Sequence, residues 1–289
     1  MNERTMIIDR RISNIDASRT YTLATEGKIS EAIYFKSNSG RIVGLCVSTQ
    51  FGCQMQCQFC ANKNSNFDGN IEFNDLKDIV TIIENDISKA GLPLPNTYDL
   101  KGVGEPLLNF DNIMAFYYYI KQLHPSVTVN LSTCGTVNSI YRLADIADCN
   151  IKLFWSMHSP LQNEREIIMP SAKKNKLPDI IDACIYYAKK KNCKVTASYL
   201  LLGNNGTKAH LNLVTELLSP ELFEIEVLLY NQVEGSSFVR PSDIEAYEVR
   251  DYFREKGYEC NVIISKGRDT GGGCGQLRNK FEFGKADFV

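Results

Sequence analysis

A chain of 289 residues, of which 44% are hydrophobic and 23% are charged, is long enough for one large α/β domain or two small ones. Its formal net charge of −2 excludes an overall basic field for nucleic-acid binding and leaves only a local patch for that role. The N-terminus is too charged for a secretory signal, and no apolar run approaches membrane-spanning length, so we expect a cytoplasmic protein without a membrane anchor. Ten cysteines without a signal peptide indicate a reducing compartment and metal or thiol chemistry.

The predicted elements begin with short polar segments that contain one strand, 30–35, before a turn at 38–40. Strands then alternate with helices, which predicts parallel βα units with right-handed crossovers. Asn74 is expected to cap the first long helix, and Gly91 is expected to end it. In chain order the further elements are strand 42–49, helix 74–90, strand 97–103, helix 111–123, strand 127–133, helix 140–147, strand 151–156, helix 178–191, strand 193–202, helix 208–218, strand 224–230, helix 242–256 and strand 260–265.

The fold class predicted from this alternation is α/β. The sheet either opens as a doubly wound fold or curls into a full or partial barrel, and chemistry then collects at the carboxyl ends of the strands. Several chemically informative residues fall at those ends, which indicates one site built by many strands. They are Cys53–Cys60, Glu105, Ser132 and Ser156–His158.

The stretch LCVSTQFGCQMQCQFC, residues 45–60, holds the densest group of cysteines. Cys53, Cys57 and Cys60 are spaced C-x3-C-x2-C, so their thiolates can hold three corners of a [4Fe–4S] cluster and leave one iron open. In radical-SAM enzymes that open iron is chelated by S-adenosylmethionine. Structural zinc and plain core cysteines are the alternatives, although no second pair follows at zinc-knuckle spacing. Five other cysteines are predicted in the apolar core: Cys134, Cys149, Cys184, Cys193 and Cys260.

Further motifs extend this pattern, namely GVGEPLLNFDN, LSTCG, WSMHSP and GRDTGGGCGQL. Together with the cysteine stretch they resemble the class A radical-SAM methylases, which are adenosine C2 and C8 methyltransferases of ribosomal and transfer RNA. The resemblance implies a partial (β/α)6 barrel of the radical-SAM type over 41–265, after a short N-terminal strand extension at 1–40 and before a C-terminal segment at 266–289. Only about forty residues precede the barrel, so we expect the helical accessory domain of the ribosomal enzymes to be missing.

The resemblance assigns roles to individual residues in cofactor binding. Gly104 and Glu105 resemble the motif that contacts the amino group of S-adenosylmethionine, and charge pairing would also select a buried carboxylate there. His158 either touches the cofactor or is only hydrogen-bonded in place. The implied cluster ligands are Cys53, Cys57 and Cys60, and the residues implied for S-adenosyl-L-methionine are Gly104, Glu105, Ser132, Ser156, Met157, His158 and Asn231.

The resemblance also implies a methyl-cysteine relay with Cys274, Cys46 and Glu31 as catalytic residues. A Cys274 thiolate takes a methyl group from S-adenosylmethionine, and a 5′-deoxyadenosyl radical formed from a second molecule removes hydrogen from it. The methylene radical adds to an sp2 carbon that polar methylation cannot reach, and Cys46 or Glu31 is the candidate base. A Cys46–Cys274 disulfide then releases the product, so a reductant must reset the pair.

The implied partners are an RNA substrate and an external electron donor such as flavodoxin or ferredoxin, with no membrane and a monomeric state. Two other functions stay open at this point. A radical-SAM methylase of a peptide or a small heteroaromatic compound is favoured by the expected lack of the accessory domain and by the acidic balance. A non-catalytic iron–sulfur redox protein would bind a cluster but produce no 5′-deoxyadenosine.

Overall fold

Strands and α-helices alternate along most of the chain in the computed structural model, which describes residues 4–233 and 235–271. In chain order the elements are β1 (Thr5–Ile12), β2 (Arg19–Thr25), β3 (Lys28–Lys36), β4 (Val43–Val47), β5 (Gln50–Phe51), β6 (Gly69–Asn70), α1 (Phe73–Lys89), β7 (Thr97–Leu100), α2 (Phe110–Leu123), β8 (Thr128–Thr133), α3 (Val137–Asp145), β9 (Lys152–Ser156), α4 (Gln162–Ile168), α5 (Leu177–Lys191), β10 (Val195–Leu201), α6 (Lys208–Leu217), β11 (Phe223–Leu229), α7 (Asp243–Glu255) and β12 (Cys260–Ile263). Short 3-10 turns occupy Pro106–Leu108, Pro170–Lys173 and Arg268–Thr270.

These elements belong to two compact units. The first unit contains the described parts of Met1–Gln54, Cys60–Leu131 and Lys266–Val289, and the second contains those of Met55–Phe59 and Ser132–Ser265. In the first unit, β1 to β4 pair antiparallel in chain order, and β7 runs parallel to β4 and to β8. In the second unit, β9, β10, β11 and β12 are parallel neighbours in that order. Helices make the crossovers that parallel strands require.

The parallel strands carry the apolar pattern that predicts them. Every residue of β10, VTASYLL, is buried except Leu200, as expected for a parallel strand covered on both faces. Trp155 on β9 and Phe223 on β11 are both 0% exposed, so large aromatic side chains fill the core beside β10. The predicted α/β class with βα units is confirmed.

The helices also carry buried apolar faces, as α1 in the first unit shows. Besides Asp75, five apolar residues at helical spacing are buried: Leu76, Ile79, Val80, Ile83 and Ile87. The prediction that Asn74 caps α1 is wrong, because the helix begins at Phe73 and Glu72 is its N-cap. The backbone N–H of Phe73 instead donates to Oδ1 of Asn112 at 3.0 Å, a tertiary contact that no local pattern predicts. Within the described residues, no helix has the length and apolar character required to span a bilayer.

Five elements do not follow from the sequence pattern: β1, β2, the short β5–β6 pair and α4. The first forty residues hold three antiparallel strands where only one is predicted. Strand β1 contains Asp9, Arg10 and Arg11, and such charges are typical of an edge strand, where one side faces water. Helix α4 has only seven residues, QNEREII, which is too short for a helical period to be recognised.

The start of α7 offers a test of local stability. Oγ of Ser242 accepts the N–H of Glu245 at 3.2 Å, and the Glu245 carboxylate accepts the N–H of Ser242 at 2.8 Å. We expect Ser242→Ala to lower the free energy of unfolding by about 1 kcal/mol, because an N–H at the helix start loses its acceptor. Urea unfolding followed by circular dichroism measures the change. Ser88→Ala, on the exposed surface of α1, is the matched control, and an equal loss there would contradict the capping role.

Candidate active site

The cysteine motif lies in the loop between β5 and β6. Cys57 is 7% exposed, and Cys53 and Cys60 are half-buried. Two N–H groups of Asn62 are directed at Sγ of Cys60, the backbone amide at 3.4 Å and the side-chain amide at 4.0 Å. Such donors favour the thiolate over the thiol, and they are among the groups that tune the potential of an iron–sulfur cluster. The loop therefore fits the predicted cluster ligands.

Ligation of a cluster differs from ligation of a single metal ion. Among residues 4–233 and 235–271, no three His, Cys, Asp or Glu side chains converge closely enough to hold one metal ion. A [4Fe–4S] cubane does not need such convergence, because each thiolate binds a different iron atom. The assignment of Cys53, Cys57 and Cys60 as ligands stays a prediction, which iron analysis tests.

Gly104 and Glu105 follow β7, at the carboxyl end of the parallel strands of the first unit. The N–H of Glu105 donates to Oε1 of Gln50 at 2.9 Å, and the Glu105 carboxylate, 1% exposed, accepts the N–H of Leu107 at 3.1 Å. Gly104 has a φ of +110°, and a Cβ there would lie 2.7 Å from Cβ of Gln50. Only glycine permits this approach, which fixes the backbone that carries the buried carboxylate. Gln50 is absent from the predicted site although it positions Glu105.

Glu31 and Cys46, two of the predicted catalytic residues, lie on one face of the first unit's sheet. Cys46 on β4 is paired with Ile33 on β3, so Glu31, two residues from Ile33, is its diagonal neighbour on the same face. The register of β4 and β7 places Asp99 beside Cys46, and Asn130 on β8 donates to the Asp99 carboxylate at 2.6 Å. Glu31 and Asp99 are 7% and 8% exposed. A thiol and two buried carboxylates therefore share this face.

Asp99 and Asn130 are missing from the predicted site, although the sequence contains a signal for them. Each is a polar residue between two apolar neighbours, in YDL and VNL. Such a residue seldom lacks a partner, because an unpaired buried polar group costs free energy. Two of them in consecutive parallel strands indicate a shared polar face.

In the second unit, β9 ends at Ser156, and His158, two residues later, has a constrained backbone conformation. His158 has a φ of +58°, which is uncommon for a residue other than glycine, and it is 4% exposed. Its Nδ1 accepts the N–H of Leu200 at 3.1 Å, and its carbonyl accepts the side-chain amide of Asn205 at 2.8 Å. The ring contacts Phe59 of the cysteine loop edge-on, with centroids 5.0 Å apart. His158 is thus hydrogen-bonded in place, and its contact with a cofactor stays a prediction.

The protonation state of His158 follows from these contacts. Burial lowers the pKa of His158 to about 3, and the Arg165 guanidinium adds to the effect. The imidazole is therefore neutral at physiological pH. Because Nδ1 accepts a hydrogen bond, the proton resides on Nε2, which is the ring's donor.

This neutral state predicts a pH dependence of stability. Unfolding returns His158 to an ordinary pKa of about 6.5, so between that pH and about 3 the unfolded chain binds more protons than the folded chain. The free energy of unfolding should fall as the pH is lowered through this window, by at most about 1.4 kcal/mol per pH unit from this group. Urea unfolding between about pH 4 and pH 7 should give a smaller slope of stability against pH for His158→Gln than for the wild type.

The control for this experiment is His210→Gln on α6. Nε2 of His210 lies 3.1 Å from the Glu164 carboxylate, outside the buried end of β9. The slope for this variant over the same pH range shows how much the loss of a histidine outside that environment changes the result. If His158→Gln keeps the wild-type slope, the buried ring is not the group that titrates.

The other predicted cofactor residues of the second unit lie at or beyond strand ends. Ser132 is half-buried near the end of β8, and Ser156 is half-buried at the end of β9. Met157 is fully buried. Asn231 follows β11, and its side-chain amide donates to Oγ of Ser265 at 2.7 Å. Cys274, the predicted methyl carrier, lies outside the described residues.

The cysteines predicted in the core divide into three groups. Those that are buried as predicted are Cys149, Cys184 and Cys260. The prediction for Cys193 is wrong, because this residue is exposed in the turn between α5 and β10. Cys134 is half-buried, and its Sγ lies 4.0 Å from Sγ of Cys57, so a fourth thiol adjoins a predicted cluster ligand.

Comparison with known proteins identifies relatives of the whole chain. The family described as "4Fe-4S single cluster domain" matches residues 40–154, which contain the cysteine motif. The probable dual-specificity RNA methyltransferase RlmN of Clostridioides difficile is 35% identical over 276 residues, covering 93% of this chain and 78% of the relative. The corresponding protein of Finegoldia magna is 31% identical over 278 residues, covering 94% and 78%.

A solved structure shares the fold. The radical SAM methyltransferase from Sphaerobacter thermophilus matches with a TM-score of 0.87 at 23% identity, covering 94% of this chain and 81% of that chain. The predicted fold of the radical-SAM type is therefore confirmed. The cluster domain and the curated relatives likewise confirm the predicted radical-SAM methyltransferase class and its cofactors, a [4Fe–4S] cluster and S-adenosyl-L-methionine. With 35% identity over nearly its full length, the chain belongs to the RlmN family of dual-specificity RNA methyltransferases.

Proposed function

We propose that this chain methylates an sp2 carbon of an RNA adenine through a methyl-cysteine relay at Cys274. The RNA substrate is supported by the relatives from Clostridioides difficile and Finegoldia magna, which are named dual-specificity RNA methyltransferases. The observation that supports the relay is the shared face of Glu31 and Cys46, where a proton acceptor and a resolving thiol are needed together.

The cofactors would be held by residues of both motifs described above. Cys53, Cys57 and Cys60 would ligate the cluster, and the buried carboxylate of Glu105 would pair with the ammonium of S-adenosylmethionine. His158 would offer Nε2–H as a donor from a ring that stays neutral. When bound, the two cofactors supply the methyl group and the radical that activates it.

Three residues of the chain would carry the relay. The thiolate of Cys274 accepts the methyl group, because a deprotonated sulfur is a strong nucleophile. Glu31 or Cys46 would accept the proton that leaves the methylated carbon, and the burial of Glu31 supports a role in a step that excludes water. The Cys46 thiolate would then attack Sγ of Cys274 and form a disulfide, while the bond from that sulfur to the transferred carbon breaks; the carbon keeps the electron pair, takes up a proton and leaves as the methyl group of the product. Each turnover therefore needs an external electron donor, such as flavodoxin or ferredoxin, to reduce the pair.

The substrate is tested with anaerobic, cluster-loaded protein and methyl-labelled S-adenosylmethionine. Parallel reactions receive total RNA, a peptide fraction or a mixture of small heteroaromatic compounds. We expect label only with RNA, in methyladenosine after digestion to nucleosides. Label in peptide or in small compounds alone would contradict the RNA substrate, and a failure to form 5′-deoxyadenosine would leave only a redox protein.

The relay is tested by mass spectrometry of the same preparation. We expect a methyl group on Cys274 and no methyl transfer from Cys274→Ala. Cys193→Ser, which changes an exposed cysteine, should retain full activity. An unmodified Cys274 in active enzyme would refute the relay. Light scattering of this material tests the predicted monomeric state.

A further inference from the structure

A guanidinium is buried in the second unit on the short helix α4. Arg165 is 0% exposed and lies over the ring of Trp155, 5.4 Å from its centroid. Its Nη1 donates to the carbonyls of Ser156, at 3.1 Å, and Met157, and its Nη2 donates to the carbonyl of Cys134 at 3.4 Å. Its Nε–H has no hydrogen-bond partner within residues 4–233 and 235–271. Burial lowers the pKa of Arg165 to about 10, so the group keeps its charge at neutral pH.

The neighbouring carboxylates do not compensate this charge. Glu164 pairs with His210 at 3.1 Å, and Glu166 pairs with Lys176 at 2.7 Å. Among the described residues, no ion pair includes Arg165. Carbonyl contacts account for the two Nη groups, but they leave a full positive charge and one donor unmatched. A buried cation in this state is strongly unfavourable unless an anion lies close to it.

The thiols around Arg165 indicate which anion this is. Cys134, which accepts from Nη2, has its Sγ 4.0 Å from Sγ of Cys57, and the guanidinium acts electrostatically on both. Cys184 is a third thiol in reach of the charge, but burial raises its pKa, so it stays neutral. Cys57 is the middle cysteine of the motif, and as a cluster ligand it would be a thiolate attached to an anionic group.

We propose that Arg165 is the buried counter-cation of the [4Fe–4S] cluster on the side of Cys57, and that its charge raises the cluster's reduction potential. The inference rests on the proposed function, since it takes Cys57 as a ligand. Reduction adds one electron to the cluster, so a fixed cation nearby stabilises the reduced state more than the oxidised state. Arg165 thus acts as a positioning residue that makes one-electron reduction easier, while its Nη groups hold the end of β9.

The experiment is a redox titration of the anaerobic full-length protein, with the reduced cluster measured by electron paramagnetic resonance. At a fixed potential, Arg165→Met should lower the ratio of reduced to oxidised cluster roughly tenfold, which corresponds to about 59 mV for a one-electron couple. Arg165→Lys keeps the charge and should stay within about threefold of the wild-type ratio. Arg250→Met is the matched control, because that guanidinium lies on α7 beside Asp251, and it should not change the ratio.

Iron content and circular dichroism accompany each titration. A Met variant that loses its cluster while the Lys variant retains it would support the charge role. Equal ratios in the wild type and Arg165→Met would overturn the inference and leave the cluster assignment intact. Loss of the cluster in both variants would show that the shape of the guanidinium matters rather than its charge, which also overturns it. A wild-type protein that takes up no iron would instead overturn the proposed function.

Discussion

Cys57→Ala should reduce the iron content from about four atoms per chain to a small fraction of one, and methyl transfer should fall below detection. Three thiolates hold the predicted cluster, so the loss of one leaves two corners of the cubane without protein ligands. Cys57 is also the most buried of the three, at 7% exposed, so water has little access to replace the lost sulfur. Iron and sulfide analysis after anaerobic reconstitution measures the first effect, and labelling of RNA measures the second.

Two variants make this result specific. Cys193→Ala removes an exposed thiol and should bind iron as the wild type does. The double variant Cys57→Ala with Cys134→Ala addresses the neighbouring thiol, which lies 4.0 Å from the one removed. If the single variant retains some iron and the double variant retains none, Cys134 acts as a substitute ligand. A single variant with full iron content that the second substitution does not lower would contradict the assignment of Cys57.

The fold could be predicted where one strand or helix carries its own signal. Strand β10, VTASYLL, is buried along nearly its whole length because both of its faces are covered, and its apolar and aromatic residues make that pattern visible in the sequence. Strand β1 gives no such signal, because its charged residues Asp9, Arg10 and Arg11 interrupt the apolar pattern. β1 is a strand because it pairs with β2, and the residues of β1 alone do not specify that pairing.

The candidate site divides in the same way. Glu105 stands in a continuous motif after a strand, so its position at the carboxyl end of β7 follows from the sequence. Asp99 is recognised as part of the site because the strand register places it beside Cys46. Gln50 is recognised because it accepts a hydrogen bond from the N–H of Glu105. The charged sequence QNEREII suggests that Arg165 lies on the surface of α4, yet the residue is fully buried. Such residues are recognised only when the tertiary contacts are known.

Gly104→Ala should lower both the stability of the protein and its affinity for S-adenosylmethionine. A Cβ at this position would lie 2.7 Å from Cβ of Gln50 and 2.8 Å from its backbone nitrogen, at a φ of +110°. Relief of that contact must move Glu105, whose N–H donates to Gln50 at 2.9 Å. We expect the free energy of unfolding to fall by about 2–4 kcal/mol and the Kd to rise at least about tenfold. Urea unfolding and calorimetric titration under anaerobic conditions measure the two effects.

Gly91→Ala separates backbone strain from displacement of the carboxylate. Gly91 also has a positive φ, +68°, but no atom of the described part of the chain lies within 4 Å of the Cβ that would be added. Only strain of about 1 kcal/mol is therefore expected, without a change in Kd. Glu105→Gln makes the opposite change, because it removes the charge and preserves the shape. If the amino group of S-adenosylmethionine pairs with Glu105, the Gln variant should match Gly104→Ala in its loss of affinity. Wild-type affinity for S-adenosylmethionine in both Glu105→Gln and Gly104→Ala would mean that the cofactor does not bind at the carboxyl end of β7.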